Sequence, residues 1–190
     1  MSAGADGLCP SMHGNVYSGR LLIMMQEKRT NPCDFPLFIS IAGKSIRVYG
    51  GGNIALRRVK TLLSFGAAVR VIAPEAGEEI LLLAGAGRII YEKRLFSEGE
   101  LSGCKEPPFL VLAATDSPEA NGQIVRECRE RGIPVNHGGD KSQCDFYFPA
   151  VAKEGDLVIG LTAGGSDHRL VKKAAAWIRS HLKEMMAEER

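Results

Sequence analysis

The run Gly50-Gly51-Gly52-Asn53-Ile54-Ala55 limits the possible folds more than any other part of the chain. It lies between the strand-like SIRVY of Ser45–Tyr49 and an amphipathic stretch. Three successive glycines end the strand, and the run fits G-x-G-x-x-A in the strand–turn–helix setting where that spacing has a physical meaning. Gly50 permits a tight turn, Gly52 lets the backbone approach a diphosphate, and Ala55 lets a helix pack closely on a strand. The helix N-terminus then offers free N–H groups and a positive dipole end to an anion. Ile54, Val59, Leu62 and Leu63 recur at helical spacing, which predicts a helix over 53–65 that Gly66 ends. The competing reading is a turn that needs glycine for its own geometry. The flanking strand and helix favour a dinucleotide.

Downstream, short apolar runs alternate with helical periods. Strands are expected at 69–73, 88–91, 109–113 and 134–136, and helices at 78–83 and 118–131. The run FLVLA at 109–113 reads as a strand buried on both faces. Pro118 suits a first helical position, and Gly132 a helix end. The pattern then changes. Residues 146–152 and 157–162 are apolar strands joined by Lys153-Glu154-Gly155-Asp156, which reads as an antiparallel hairpin. Such a pair needs a cover, and a homodimer supplies one. A last helix over 167–186 carries the stripe Leu170, Val171, Ala174, Ala175, Ile178 and Leu182. The expected class is therefore α/β: a Rossmann-like parallel sheet followed by a small α+β dimerisation segment of hairpin plus helix. Residues 1–30 read as a disordered leader or a mis-assigned start (Met24 or Met25), 35–140 as the nucleotide-binding domain, and 141–190 as the dimerisation and substrate segment.

Several function classes are disfavoured by composition. Formal net charge is only +2 and basic residues are interleaved with acids, so nothing points to nucleic acid. No apolar run approaches the ~20 residues of a membrane span, and no basic-then-apolar leader marks secretion. Five widely spaced cysteines lack a C-x-x-C pair and read as reduced thiols of a cytoplasmic protein. No closed metal-site spacing is present, so no resident metal is expected. The second strand runs into Ala73-Pro74-Glu75, where Glu75 is the one acid eligible to bond a ribose, unless it is simply solvated. An acid there favours NAD over NADP, because it would repel a 2′-phosphate.

The blocks FPLFISIAGKSIRVYGGGNIALRRVKTLL, VRVIAPE, FLVLAATDSPEAN, GIPVN and CDFYFPAVAKEGDLVIGLTAGG, in this order, resemble the precorrin-2 dehydrogenase family, the NAD-binding N-terminal module of sirohaem synthase. The resemblance spans about 35 to 178. It implies NAD-dependent oxidation of precorrin-2 to sirohydrochlorin by a homodimer, and some family members also insert iron. NAD contacts carry over to Gly50, Gly52, Asn53, Ile54, Pro74 and Glu75, with Thr115 and Asp116 bordering the same cleft. The family's candidate base falls on Gly139 here, which is not an acid. Asp140 beside it takes the role on one reading. On others the base is lost, or His137 titrates in its place. The substrate is implied to meet Asn136, Lys141, Thr162, Gly164, Gly165 and Ser166. Ala163 replaces a hydroxyl usual in relatives, and Asp167-His168 replaces Ser-Pro, with Asp167 suited to a helix N-cap. A polycarboxylate substrate calls for cations, and Arg57, Arg58, Lys141, Arg169 and Lys172 are the candidates. A metal-inserting role using His137, His168, Asp140 and Asp167, and a non-catalytic carrier of NAD or tetrapyrrole, are the alternatives.

Overall fold

A computed structural model describes residues 35–164 and 167–188. The expectation for 1–30 lies outside the described residues. Five parallel strands form one sheet in the order β3-β2-β1-β4-β5: β1 Ser45–Tyr49, β2 Ala68–Ile72, β3 Ile90–Glu92, β4 Leu110–Ala113 and β5 Val135–His137. β1 is central, paired with β2 on one side and β4 on the other. Alternation along the strands divides the core into two layers. Ile46, Val48, Val69, Val71 and Leu112 meet helix α1 (Asn53–Ser64) through Ala55, Val59 and Leu62. Tyr49, Ile72, Val111 and Ala113 meet helix α3 (Pro118–Glu130) through Ile124, Val125 and Cys128. All four residues of β4 are buried, as expected of a strand covered on both faces. A short helix α2 (Glu78–Gly85) joins β2 to β3.

The helix starts follow local chemistry. Ser117 caps α3 by accepting from Ala120 N at 3.1 Å, with Pro118 in the first turn. Gly66 and Gly132, at φ 75° and 64°, follow the ends of α1 and α3, where a left-handed residue is needed. Ile54 departs from the expected buried stripe of α1: it is exposed, and its neighbour Ala55 is the residue packed against the strand. Only a methyl-sized side chain fits at that close approach.

β6 (Ala150–Glu154) and β7 (Leu157–Leu161) form the expected antiparallel pair, but more tightly than expected. Lys153 and Glu154 pair with Val158 and Leu157, so the link is only Gly155-Asp156, with Gly155 at φ 54°. Residues 146–149 lie outside the strand. Phe146 and Phe148 instead pack on the α1 layer of the core. Helix α4 (His168–Glu188) begins after Asp167, whose Oδ1 accepts from Leu170 N at 2.8 Å. Ala175 and Leu182 are buried on it, whereas Leu170, expected in the same stripe, is exposed. Among the described residues no helix is long and apolar enough to cross a membrane.

Candidate cofactor and substrate site

Because strand order reverses at β1, the chain leaves β1 and β4 toward opposite halves of the sheet. A crevice opens at their C-terminal ends. Gly50-Gly51-Gly52 and the Ala114-Thr115-Asp116 turn both emerge there. Gly50 has φ 117°, and a Cβ on it would fall 2.0 Å from the Ala114 carbonyl oxygen. A Cβ on Gly51 would fall 2.3 Å from the Glu75 carbonyl oxygen and 2.7 Å from Ala76 Cα. Gly51 O also accepts from Gly77 N at 3.0 Å. Gly52 differs, since a Cβ there would meet nothing within 4 Å. It is the N-cap of α1, with no side-chain cap and no acid in the first turn. The first two glycines thus let neighbouring loops close on the turn. The third leaves free space against the uncapped positive end of a helix. These residues fit a dinucleotide diphosphate. Sequence reading missed Gly51, although three glycines where the fingerprint requires two was an available signal.

Asn53, Ile54, Pro74 and Glu75 are exposed at the rim of this turn, as is Asp116, and Thr115 is half-buried. Thr115 is fixed by a residue that sequence reading did not single out. The Oδ1 of buried Asn121 accepts from Thr115 N at 3.0 Å, and its Nδ2 donates to Thr115 O at 3.0 Å. Asparagine is a poor helix-interior residue, so its place on the buried face of α3 with Ile124, Val125 and Cys128 was the clue.

The loop after β5 reaches the same crevice. Gly138 N donates to Ala113 O at 2.7 Å, tying this loop to the end of β4. Asn136 is buried, and its Nδ2 donates to Phe146 O at 2.8 Å, so its amide positions the following segment. His137 Nδ1 accepts from Gly139 N at 3.0 Å and Asp140 N at 2.9 Å. Those two donors fix the orientation of the ring. Asp140 caps a short 3-10 helix (Lys141–Gln143): Oδ1 accepts from Ser142 N and Oγ, and Oδ2 from Gln143 Nε2. The Ser142 hydroxyl, Gln143 amide and Ser142 N–H, with His137 nearby, hold the Asp140 carboxyl below the usual range despite slight desolvation. Asp140 is therefore an ionised, weakly basic carboxylate.

Lys141 Nζ donates to Gly164 O and lies 4.9 Å from the Tyr147 ring centroid. Gly164 N donates to Thr162 Oγ1 at 3.2 Å. The structure thus brings Asp140, Lys141, Thr162 and Gly164 together. Gly165 and Ser166 lie outside the described residues. Among the described residues, no three His, Cys, Asp or Glu side chains group as metal ligands would.

Residues 37–150 match the family described as "Putative NAD(P)-binding". The chain belongs to this family. Its relatives include the "Probable multifunctional siroheme biosynthesis protein HemA" of Ruminiclostridium josui, 35% identical over 90% of this chain and 30% of that protein. The siroheme synthase of Pseudomonas entomophila is 37% identical over 79% of this chain and 32% of that protein. The chain therefore spans about a third of the length of these relatives. A solved structure of SirC, a precorrin-2 dehydrogenase, superposes with TM-score 0.63 at 26% identity. It covers 78% of this chain and 71% of that one. These matches bear out both the precorrin-2 dehydrogenase resemblance and the Rossmann-like architecture read from the sequence.

Proposed function

We propose that this chain is a cytoplasmic, homodimeric NAD-dependent dehydrogenase that oxidises precorrin-2 to sirohydrochlorin. The observation that carries this reading is the open, uncapped helix end at Gly52, set at the strand-order reversal, with the loop that leads to Asp140 tied to the end of neighbouring β4. Likeness to the siroheme synthases and to SirC supports a tetrapyrrole as the substrate.

Bound NAD would supply the hydride acceptor. The protein's part is to hold and orient. Backbone N–H groups of Asn53 and Ile54 would hold the diphosphate beside Gly50 and Gly52. Glu75, following Pro74, would accept from a ribose hydroxyl, and Thr115 and Asp116 would border the same cleft. Oxidation removes a hydride and a proton from neighbouring positions of the substrate. As the hydride departs, the remaining carbon becomes electron-poor and its neighbouring C–H acidic, so a weakly basic carboxylate is sufficient to take the proton. We assign that role to Asp140, with His137 fixing the loop through Nδ1 and Asn136 fixing the segment behind it. Lys141, Thr162 and Gly164 form the substrate side.

The test is incubation of pure protein with NAD and precorrin-2, following sirohydrochlorin by absorbance. Turnover in the native protein and its loss in Asp140→Ala are expected. If titration with NAD shows no saturable binding up to millimolar concentration, the dehydrogenase reading fails.

A further inference from the structure

Arg58 stands on α1, six residues beyond the Gly52 N-cap and about 9 Å further along the helix axis. It is the half-buried cation nearest in sequence to the glycine turn, and its setting is unusual. The guanidinium carbon lies 4.3 Å from the Phe148 ring centroid, a stacked arrangement. Its Nε is sealed from solvent and has no hydrogen-bond partner among the described residues. None of the described ion pairs includes it. Burial, with the neighbouring Arg57 charge, lowers its pKa to about 10, and Cys144 opposes this only weakly. A guanidinium removed from water without a carboxylate partner is costly to maintain.

The surroundings are built to hold it in place. Phe148 and Phe146 pack on the core, with ring centroids 5.5 Å apart. Cys144, which interacts with Arg58, accepts from His137 N at 3.2 Å and donates to Asp140 O at 3.4 Å. Arg58 therefore belongs to the wall joining the glycine-turn helix to the Asp140 loop. Phe148 covers a face of the guanidinium and Nε is sealed, so its two Nη groups are the donors left to meet a ligand.

We propose that Arg58, stacked on Phe148, is a substrate-binding residue that pairs with a carboxylate of the tetrapyrrole at the Asp140 side of the cleft. This rests on the dehydrogenase reading above and adds a subsite to it. A planar, aromatic-backed guanidinium suits a carboxylate bidentately, which a lysine ammonium cannot reproduce.

The test compares native protein with Arg58→Met and Arg58→Lys, measuring NAD affinity, KM for precorrin-2, and quenching of a carboxylated porphyrin and its methyl ester. Arg58→Met is expected to raise KM and the porphyrin dissociation constant by roughly tenfold to a hundredfold. NAD affinity should stay near native, the melting temperature should hold or rise, and Arg58→Lys should raise KM by an intermediate amount. The methyl ester should bind native protein and Arg58→Met equally. Unchanged KM in both variants overturns the proposal while leaving the dehydrogenase reading intact. Weakened NAD binding with unchanged porphyrin binding assigns Arg58 to the cofactor and also overturns it. If Arg58→Met does not fold, an Arg58→Lys protein that keeps the native KM and the native preference for acid over ester overturns it equally. A native protein that neither turns over precorrin-2 nor binds the porphyrin fails both readings.

Discussion

A Cβ on Gly51 would stand 2.3 Å from the Glu75 carbonyl oxygen, whereas one on Gly52 would meet nothing within 4 Å. Gly51→Ala must therefore displace the backbone of the loop after β2, and we expect it to lower stability by about 1–3 kcal/mol. Gly52→Ala sits at φ −85° and ψ −171°, an extended conformation open to any residue, so the fold should be unaffected. Its methyl group would occupy the space assigned to the diphosphate. Thermal melting and NAD titration separate the two variants: Gly51→Ala melts early, while Gly52→Ala melts normally and binds NAD weakly. Native-like NAD affinity in Gly52→Ala would place the diphosphate elsewhere. The pair also shows what a motif can and cannot disclose. The fingerprint marks Gly50 and Gly52 but leaves the middle position open, because the constraint on Gly51 comes from a loop 24 residues away. Asp140 yields a second prediction at this scale. Its hydrogen bonds favour the carboxylate, so it stays ionised as pH falls through the ordinary aspartate range. Turnover should hold through that range and decline only below it. Asp140→Asn should reduce kcat roughly a hundredfold with NAD affinity unchanged. An acid limb that begins near neutrality would identify a different base.

Glu127 joins helix α3 to the loop before β4. This buried carboxylate accepts from Gly99 N at 2.7 Å, Leu101 N at 3.0 Å, Ser102 N at 3.3 Å and Gln123 Nε2 at 3.2 Å. Burial alone would raise its pKa, but the four donors reverse that, and the group titrates below the usual glutamate value. A folded pKa below the unfolded one contributes stability that is complete above the unfolded value. That stability is lost as pH falls through the folded value. We expect Glu127→Gln to cost about 1.5–3 kcal/mol at pH 7. The difference from native protein should shrink on acidification past the depressed pKa. Urea unfolding at both pH values measures it, and an equal cost at both would mean that charge plays no part. The elements themselves were legible wherever one period dominated: β1, α1, α3 and β7 all stand within a residue or two of the positions their apolar spacing implies. CDFYFPA was the exception. Its aromatic alternation reads as strand, yet Phe146 and Phe148 face the core through contacts with α1 that no local pattern encodes. The anchoring role of Asn136 was hidden for the same reason, since its amide acts on the backbone of Phe146.

For the molecule as a whole, α4 and the β6–β7 hairpin pose a solvation problem. One side of α4 meets the hairpin, with Ala175 and Leu182 buried and Arg179 donating to Val151 O at 2.7 Å through Nη2. The other side leaves Leu170 58%, Trp177 61% and Met185 46% exposed. At 100° per residue these three share one face, so they form a continuous apolar strip along the helix. Trp177 also stacks on His181, with ring centroids 4.0 Å apart. A two-fold pairing of such faces buries the aromatic centre that dominates interface energetics. The prediction is that Trp177→Asp raises the dimer dissociation constant by more than about a hundredfold, because each association would bury two unpaired carboxylates. Sedimentation of native and variant protein at micromolar concentration reads this directly. NAD affinity should persist in the variant monomer, because the glycine turn, Glu75 and Thr115 all belong to the five-stranded sheet and its connections. Turnover should fall if the second copy completes the substrate cleft. A native protein that sediments as a monomer at these concentrations would leave the strip without a role in self-association.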